Sequence, residues 1–404
     1  MELFDMVIVG GGITGLSLAC GLEDCGIKIA IIENSPPQNQ FDPQELPALR
    51  VSAINVSSQK LLDHLGIWQT ILQKRIATYQ QIKVWKQDSF GYIQFNSKDY
   101  YLPCLGYIIE NSIIRGSLWE QVQSSKNITL LTGKILKKIV WSKNEVLITF
   151  DNEKILAAKL VVGADGAKSW IREKSDIPII FWDYEHTALI ATIRTEIPHM
   201  NTARQYFYSD SILAFLPLYD PHLCSIVWSL PAIQANRYLD LEIFAFEKKL
   251  STSLDMNLGF CQLISERQIF PLIGQYAKNF ASQRIVLLGD AAHTIHPLAG
   301  QGLNHGFMDV AELIWQIRNL NKTGKDIGKY IYLQNYERNR KYRTMLMLGS
   351  MQVFLHLFNS KNLIKKIFCD VSFLLTNTFP GIKQTLLSYA LESPDIPEWL
   401  TKRL

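Results

Sequence analysis

Residues 5–15 read Asp5-Met6-Val7-Ile8-Val9-Gly10-Gly11-Gly12-Ile13-Thr14-Gly15. An apolar run of strand length ends in a turn that fits G-x-G-x-x-G, and a helix is expected from there to about Cys25. Gly10 permits the tight turn, Gly12 lets the backbone approach a pyrophosphate, and Gly15 lets the helix pack on the strand. The helix N-terminus turns free N–H groups and its positive dipole end toward the same place. A second apolar strand, Ile27–Ile32, ends at Glu33. A carboxylate there can accept both hydroxyls of a ribose and repels a 2′-phosphate, which favours FAD or NAD over NADP. The glycines alone would be an ordinary loop. Strand, helix, second strand and acid in this order make a dinucleotide site.

Two later strands end in comparable turns. Leu160-Val161-Val162-Gly163-Ala164-Asp165-Gly166 is followed by Ser169 and Arg172 on an expected helix. Taken alone, Asp165 reads equally well as a cap for that helix. Ile285–Gly289 is a third buried strand and ends at Asp290, where α/β folds bind ligands. The following loop, His296–Gly302, carries Pro297, Gly300 and Gly302, so its backbone can lie against a flat ring. The helix after it is expected to bury Leu303, Phe307, Val310, Ile314 and Ile317. Its N-terminus would favour the anionic edge of a reduced flavin. His293 and His296 read more readily as loop hydrogen-bonding groups than as catalysts.

Between these units, residues 80–95 and 182–230 alternate and read mainly as strands. Their aromatics, in Phe181–Ile193 and Ala214–Trp228, either line a ring-binding site or form a sheet core. We therefore expect an α/β protein with a Rossmann-like dinucleotide-binding domain built from 1–75, 100–180 and 265–320. A substrate-binding sheet domain, 76–99 and 181–264, is inserted, and 321–404 forms a C-terminal helical region. No second G-x-G-x-x-G occurs, so a separate nicotinamide domain is not expected.

The chain has 404 residues, which suggests two units, three at most. With 48% hydrophobic and 19% charged residues, a large core is readily built. A net charge of +4 is too small for a general nucleic-acid binder. The six cysteines form no Cys-x-x-Cys pair and no metal spacing, so they read as buried thiols of a reducing, cytoplasmic compartment, and no metal is expected. The first strand begins almost at once, leaving no room for a secretory signal, and no apolar run is long enough to span a membrane. Met345–Phe358 is apolar and followed by Lys361, Lys365 and Lys366; it reads as a core helix or as a face for lipid or partner proteins.

The glycine cradle, the Gly-Ala-Asp-Gly turn and the late Gly-Asp turn together resemble the flavoprotein hydroxylases. The stretch His296–Asp309, HPLAGQGLNHGFMD, is similar to the signature of the ubiquinone-biosynthesis branch of that family. The likeness extends through RVSAIN from Arg50, VWKQDSFGYIQF from Val84, FWDYEHTALIATIRTEIPH from Phe181 and the final PEWL from Pro397. The resemblance implies an aromatic-hydroxylase fold, bound FAD, and NAD(P)H and O2 as co-substrates. It implies a polyprenylphenol substrate, hydroxylated ortho to the phenol, or a sibling reaction at another ring carbon. A catalytically silent, FAD-bound scaffold is the alternative of another class. The resemblance also implies a biosynthetic protein complex and peripheral contact with the inner face of the cytoplasmic membrane.

The resemblance carries residue roles. Gly10, Gly12, Gly15 and Glu33 fall on the adenosine-diphosphate site, and Arg50 falls beside FAD. Asp165 and Gly166 fall on a turn serving FAD and the nicotinamide, and Asp290 on the acid holding the ribityl or pyrophosphate part. Pro297, Gly300, Gly302 and Asn304 fall on the loop beside the flavin ring. His305 stands where close relatives carry an apolar residue. No residue is identified as a catalytic base.

Overall fold

The computed structural model describes residues 1–37, 41–87, 92–295, 301–358 and 396–401. The strand Glu2–Val9 is buried throughout Met6–Val9, as an apolar run covered on both faces must be. It pairs in parallel with Ile29–Glu33 on one side and Ile155–Gly163 on the other. Ile128–Thr132 extends the sheet beyond Ile29–Glu33, and Ile285–Leu287 extends it beyond Ile155–Gly163, again in parallel. Antiparallel strands Leu136–Trp141, Val146–Phe150 and Ala281–Ser282 complete it. Helices Ile13–Gly21, Asn111–Ser124 and Gln301–Lys322 pack together, the first touching both of the others. Phe307, Val310, Ile314 and Ile317 of the last helix are fully buried, while Leu303 is only partly so.

The second sheet is built around the long strand Ile179–Thr195, which pairs antiparallel with Leu223–Pro231 and Gln268–Ala277. It continues through Ile212–Pro217, Thr202–Phe207, Gln81–Lys86 and Tyr92–Asn96. The pairing of Thr202–Phe207 with Gln81–Lys86 is parallel, so the sheet is mixed. Alternation sorts its side chains. Leu189, Ala191, Ile193, Phe215, Ile226 and Trp228 form a core with Phe246 and Leu250 of the helix Ile243–Ser253. The opposite face holds Ala188, Ile190, Ser225 and Val227. A small sheet of Val51–Ile54, Gly106–Glu110 and Ile76–Tyr79 lies between the two units in sequence.

The chain crosses between units more often than the expected boundaries allow. Gln268–Ala277 and His293–Thr294, expected within 265–320 of the flavin-binding unit, belong to the large sheet. Ile76–Tyr79, expected in the substrate unit, belongs to the small sheet. Pairing explains both: Gln268–Ala277 finds its partners along Ile179–Ile190, and Ile76–Tyr79 along Gly106–Ile109. Among the described residues no helix is long and apolar enough to cross a membrane. The cysteines there are free thiols, buried except for the partly exposed Cys25; Cys369 lies outside them. Lys361, Lys365 and Lys366, which follow the apolar segment Met345–Phe358, also lie outside the described residues.

Candidate functional site

Parallel register sets the site. Val9 aligns with Ile32 and with Gly163, and Gly163 aligns with Leu287. The carboxyl ends of these strands therefore emerge at one edge of the sheet and carry Gly10, Glu33, Ala164–Gly166 and Gly289–Asp290 together. Backbone bonds continue past the ladder: Gly10 N–H donates to Ile32 O (2.9 Å), Ala164 N–H to Val9 O (2.8 Å) and Leu288 N–H to Gly163 O (2.9 Å).

The turn after the first strand is closed tightly. Gly10 has φ +110°, and a Cβ there would lie 2.3 Å from Ala164 O. A Cβ on Gly15 would lie 2.1 Å from Gly10 O. Gly12, by contrast, meets nothing within 4 Å and lines an open cavity. Glu33 accepts from the Gly11 N–H at 2.6 Å and the Ser35 N–H at 2.8 Å. Arg115, which sequence reasoning did not single out, ties this corner together. Its Nε donates to Gly11 O (2.9 Å), one terminal nitrogen donates to Ser35 O (2.6 Å), and that nitrogen is 3.7 Å from Glu33. No motif marks an arginine in the second turn of Asn111–Ser124, so only the fold reveals it.

The cavity measures about 620 Å³, within the range of small-molecule sites. Gly12, Thr14, Gly166, Asp290, Gly302 and Leu303 line it from the parallel-sheet unit. Ala188, Ile190, Ser225, Val227 and Phe270 line it from the large sheet. Arg50 reaches across, its guanidinium 4.4 Å from the Phe270 ring centre. The aromatics of the expected ring-binding strands do not form this wall. Phe215 and Trp228 face the helix-covered core, and small or aliphatic residues at alternate positions face the cavity.

The cap of the following helix Trp170–Lys174 is Ser169, whose Oγ accepts from the Arg172 N–H at 3.0 Å, and Asp165 supports it, its Oδ2 accepting from the Ile171 N–H at 3.1 Å. Its other oxygen, Oδ1, is buried without a partner. Burial pushes its pKa up, only partly countered by Ser169 and backbone N–H groups. Arg172 bonds Ala167 O (2.7 Å) and Ala291 O (2.8 Å), so it clamps the Asp165 turn to the Asp290 turn. Asp290 is open to the cavity yet crowded by protein on its other sides. That crowding raises its pKa against the opposing pull of His293 and Arg50.

Behind Asp290 lies a buried charge network. Asp309, with no exposed side-chain surface, accepts from Arg340 Nε (2.6 Å), from the Gly289 N–H (3.1 Å) and bonds His293 Nε2 (2.7 Å). Burial alone would raise its pKa, but His293 and Arg340 hold the carboxyl well below the usual carboxylate range. His305 bonds Thr344 Oγ1 at 2.9 Å. Burial, then Arg340 and His293, push its pKa far down, so it is neutral. His293, His305 and Asp309 bring ligand-type atoms within 4.8 Å of one another, but Arg340 already supplies the positive charge there.

Asn304 does not turn its amide to the cavity. Its Nδ2 donates to Ala53 O (2.7 Å) and its Oδ1 accepts from the Asn55 N–H (3.1 Å), pinning the Gln301–Lys322 helix to the Val51–Ile54 strand. Pro297 and Gly300 lie outside the described residues. The rest forms a cradle of backbone N–H groups, three carboxylates at strand ends and an apolar wall large enough for a ring. The unmet Asp165 oxygen and the open face of Gly12 fit a bound dinucleotide.

The family described as FAD binding domain matches residues 4–349. The chain is 29% identical over 387 residues to 3-demethoxyubiquinol 3-hydroxylase of Escherichia coli K12, covering 96% of this chain and 98% of that one. It is 30% identical over 436 residues to the mitochondrial ubiquinone biosynthesis monooxygenase COQ6 of Danio rerio, covering 96% and 90%. The solved structure of p-nitrophenol 4-monooxygenase PnpA from Pseudomonas putida DLL-E4 superposes with a TM-score of 0.77 at 16% identity, covering 100% of each chain. That last likeness speaks for the fold, the aromatic-hydroxylase FAD-binding type. By the span of its family match and its near-complete coverage of such relatives, the chain belongs to the FAD-dependent monooxygenases.

Proposed function

We propose that this protein hydroxylates the ring of a polyprenylphenol on the route to ubiquinone, ortho to the phenol, using NAD(P)H and O2. One observation carries the reading: the cradle of strand ends and a small, apolar sheet face enclose the same cavity. The relatives' names, a 3-demethoxyubiquinol 3-hydroxylase and a ubiquinone biosynthesis monooxygenase, support the substrate class. The first of these names also supports a second reading, in which a sibling reaction takes place at another ring carbon.

The same reading assigns residue roles, which the geometry supports. Gly10, Gly12 and Gly15 with the Ile13–Gly21 helix N-terminus would hold the pyrophosphate of FAD. Glu33, with acceptor sites left over beside Gly11 and Ser35, would take the adenosine ribose. Asp165 Oδ1, Gly166 and Asp290 would face the ribityl and pyrophosphate part, and Gly302 the flavin ring, where the resemblance also puts Pro297 and Gly300. Arg50 would stand beside the flavin over Phe270. Bound FAD supplies the redox chemistry, accepting hydride from the nicotinamide and activating oxygen. The protein holds the ring in place, and Ile190, Val227, Phe270 and Leu272 keep water from it. A membrane-borne substrate calls for contact with the inner face of the cytoplasmic membrane, and for partners of the same pathway.

The test is direct. Purified protein is mixed anaerobically with NADH or NADPH, then with oxygen and a 2-prenylphenol, and products are read by mass spectrometry. A catechol is expected. Bound, reducible FAD with no oxygenated product from any prenylphenol overturns the hydroxylase reading.

A further inference from the structure

Ser225 in the cavity wall and Thr192 beside it carry hydroxyls that the protein itself does not satisfy, as does Thr294 elsewhere in the wall. Ser225 is 1% exposed and Thr192 is 0% exposed. Ser225 Oγ and Thr192 Oγ1 are both buried with no hydrogen-bond partner. They are also neighbours. Thr192 pairs with Ser225 across the antiparallel ladder of Ile179–Thr195 and Leu223–Pro231, so their side chains leave the same face of the sheet. Ser225 lines the cavity, and so do Ile190 and Val227, the pair next along the same face.

The polar groups next to them are satisfied. Ser229, further along the same strand face, is bonded to His186 Nδ1 at 3.0 Å. The Thr192 backbone is satisfied as well: its N–H donates to Ser265 Oγ at 2.8 Å and its C=O accepts from the Ile264 N–H at 3.0 Å. Where these two strands border the cavity both hydroxyls are unmet; elsewhere in the sheet Tyr206, Trp228, Gln275 and Thr294 also bury polar atoms without partners, and the opposite face is a packed apolar core. A buried hydroxyl without a partner is destabilising, and native proteins keep few of them without a use. Valine or alanine would fill the same space at less cost.

We propose that Ser225 and Thr192 form the polar anchor that receives the ring hydroxyl of the substrate. The inference rests on the hydroxylase reading above and deepens it by naming what the wall recognises. Each hydroxyl offers one donor and two acceptor sites. Together they can accept the phenol O–H with one oxygen and donate to the phenol oxygen with the other. In an otherwise apolar wall this pair selects an oxygenated ring over a hydrocarbon, because a ring without oxygen leaves both hydroxyls dry. They are positioning groups: they fix which ring edge faces the flavin and do not themselves take part in oxygen transfer.

The experiment uses the FAD-loaded enzyme and two probes, a short-chain 2-prenylphenol and the prenylbenzene that lacks the oxygen. Dissociation constants come from the change in flavin absorbance on binding. Wild type should prefer the phenol by about tenfold or more, the scale of a buried hydrogen bond lost. In Ser225→Ala/Thr192→Val that preference should collapse through weaker phenol binding, with prenylbenzene binding and FAD content unchanged. The fraction of NAD(P)H oxidation coupled to product should fall with it. Thr192→Ser, which keeps the hydroxyl, should retain the preference and serves if the double variant folds poorly. Equal binding of the two probes by wild type, or undiminished preference in the double variant, overturns the anchor. A clear wild-type preference that the double variant loses, without hydroxylated product from either protein, leaves the anchor standing and refutes the hydroxylase reading instead.

Discussion

Replacing Asp309 by Asn would test how the flavin-side turn is held. Asp309 and Arg340 are 0% and 2% exposed, and Asp309 spends its two oxygens on Arg340, His293 and the Gly289 N–H. Asparagine keeps one acceptor and turns an NH2 toward groups that are themselves donors. The Arg340 charge is then left without its carboxylate in the core. Breaking such a pair from one side costs about 3–5 kcal/mol. At about 2–4 °C per kcal/mol for units of this size, the melting temperature should fall by roughly 6–20 °C. The Gly289–Asp290 turn should loosen at the same time and release FAD more easily. Circular dichroism follows the unfolding, and the rise of free-flavin fluorescence follows the release. Adding Arg340→Met should recover part of the loss, because the stranded charge leaves with it. A single variant that melts within a couple of degrees of wild type, as ~2 °C or less, and keeps its FAD would refute the reasoning: the network would then carry no load at the turn.

The same network predicts a pH dependence. His305 is held neutral in the fold, far below its ordinary pKa, while in the unfolded chain it takes up a proton below about 6.5. The unfolded state then binds more protons, so stability falls on acidification below that pH, at about 1.4 kcal/mol per unit for one group. His305→Leu should flatten the dependence of melting temperature on pH between about 6.5 and 5, and an unchanged slope would remove His305 as its source. Asp309 behaves differently: its carboxyl stays ionised to lower pH than in the unfolded chain, so its contribution is lost only as pH falls below about 4. Gly15→Ala places a methyl 2.1 Å from Gly10 O, so the purified protein should be colourless or lose FAD on dilution, and a fully yellow variant would contradict the cradle. Arg115→Ala should weaken FAD binding by about tenfold by freeing the Gly11–Ser35 corner, and lysine should not restore it, because a single ammonium cannot span both carbonyls. Fluorescence titration of apoprotein with FAD measures both.

The strand ends were legible in the sequence because buried parallel strands leave unbroken apolar runs, and their turns need glycine or an acid. Val7–Gly15, Leu160–Gly166 and Ile285–Asp290 were all marked in this way. The burial of Phe307, Val310, Ile314 and Ile317 was legible from helical spacing. Arg115 was not, because its role is a meeting with Gly11 and Ser35 that no local pattern records. Asn304 was placed beside the flavin by likeness, yet its amide bonds the backbone of Ala53 and Asn55. The unit boundaries failed for a related reason: Gln268–Ala277 alternates like any half-buried strand, and only pairing tells which sheet it joins. Ser225 and Thr192 left a faint signal. Ser225, Val227 and Ser229 form a period-two row of small residues beside the bulky Ile226, Trp228 and Leu230, and such a row marks a face kept clear for something else.

The register of the parallel sheet also says when this protein can become yellow. The strand Glu2–Val9 that leads into Gly10 pairs with Ile155–Gly163, that strand pairs in turn with Ile285–Leu287, and the carboxylate behind the last turn is neutralised by Arg340. Pairings over such distances in the chain form late and expose apolar edges while they wait. Cofactor loading must therefore wait until the chain through Arg340 is available, and a chain cut short before Arg340 would be left with a glycine turn and nothing to close over it.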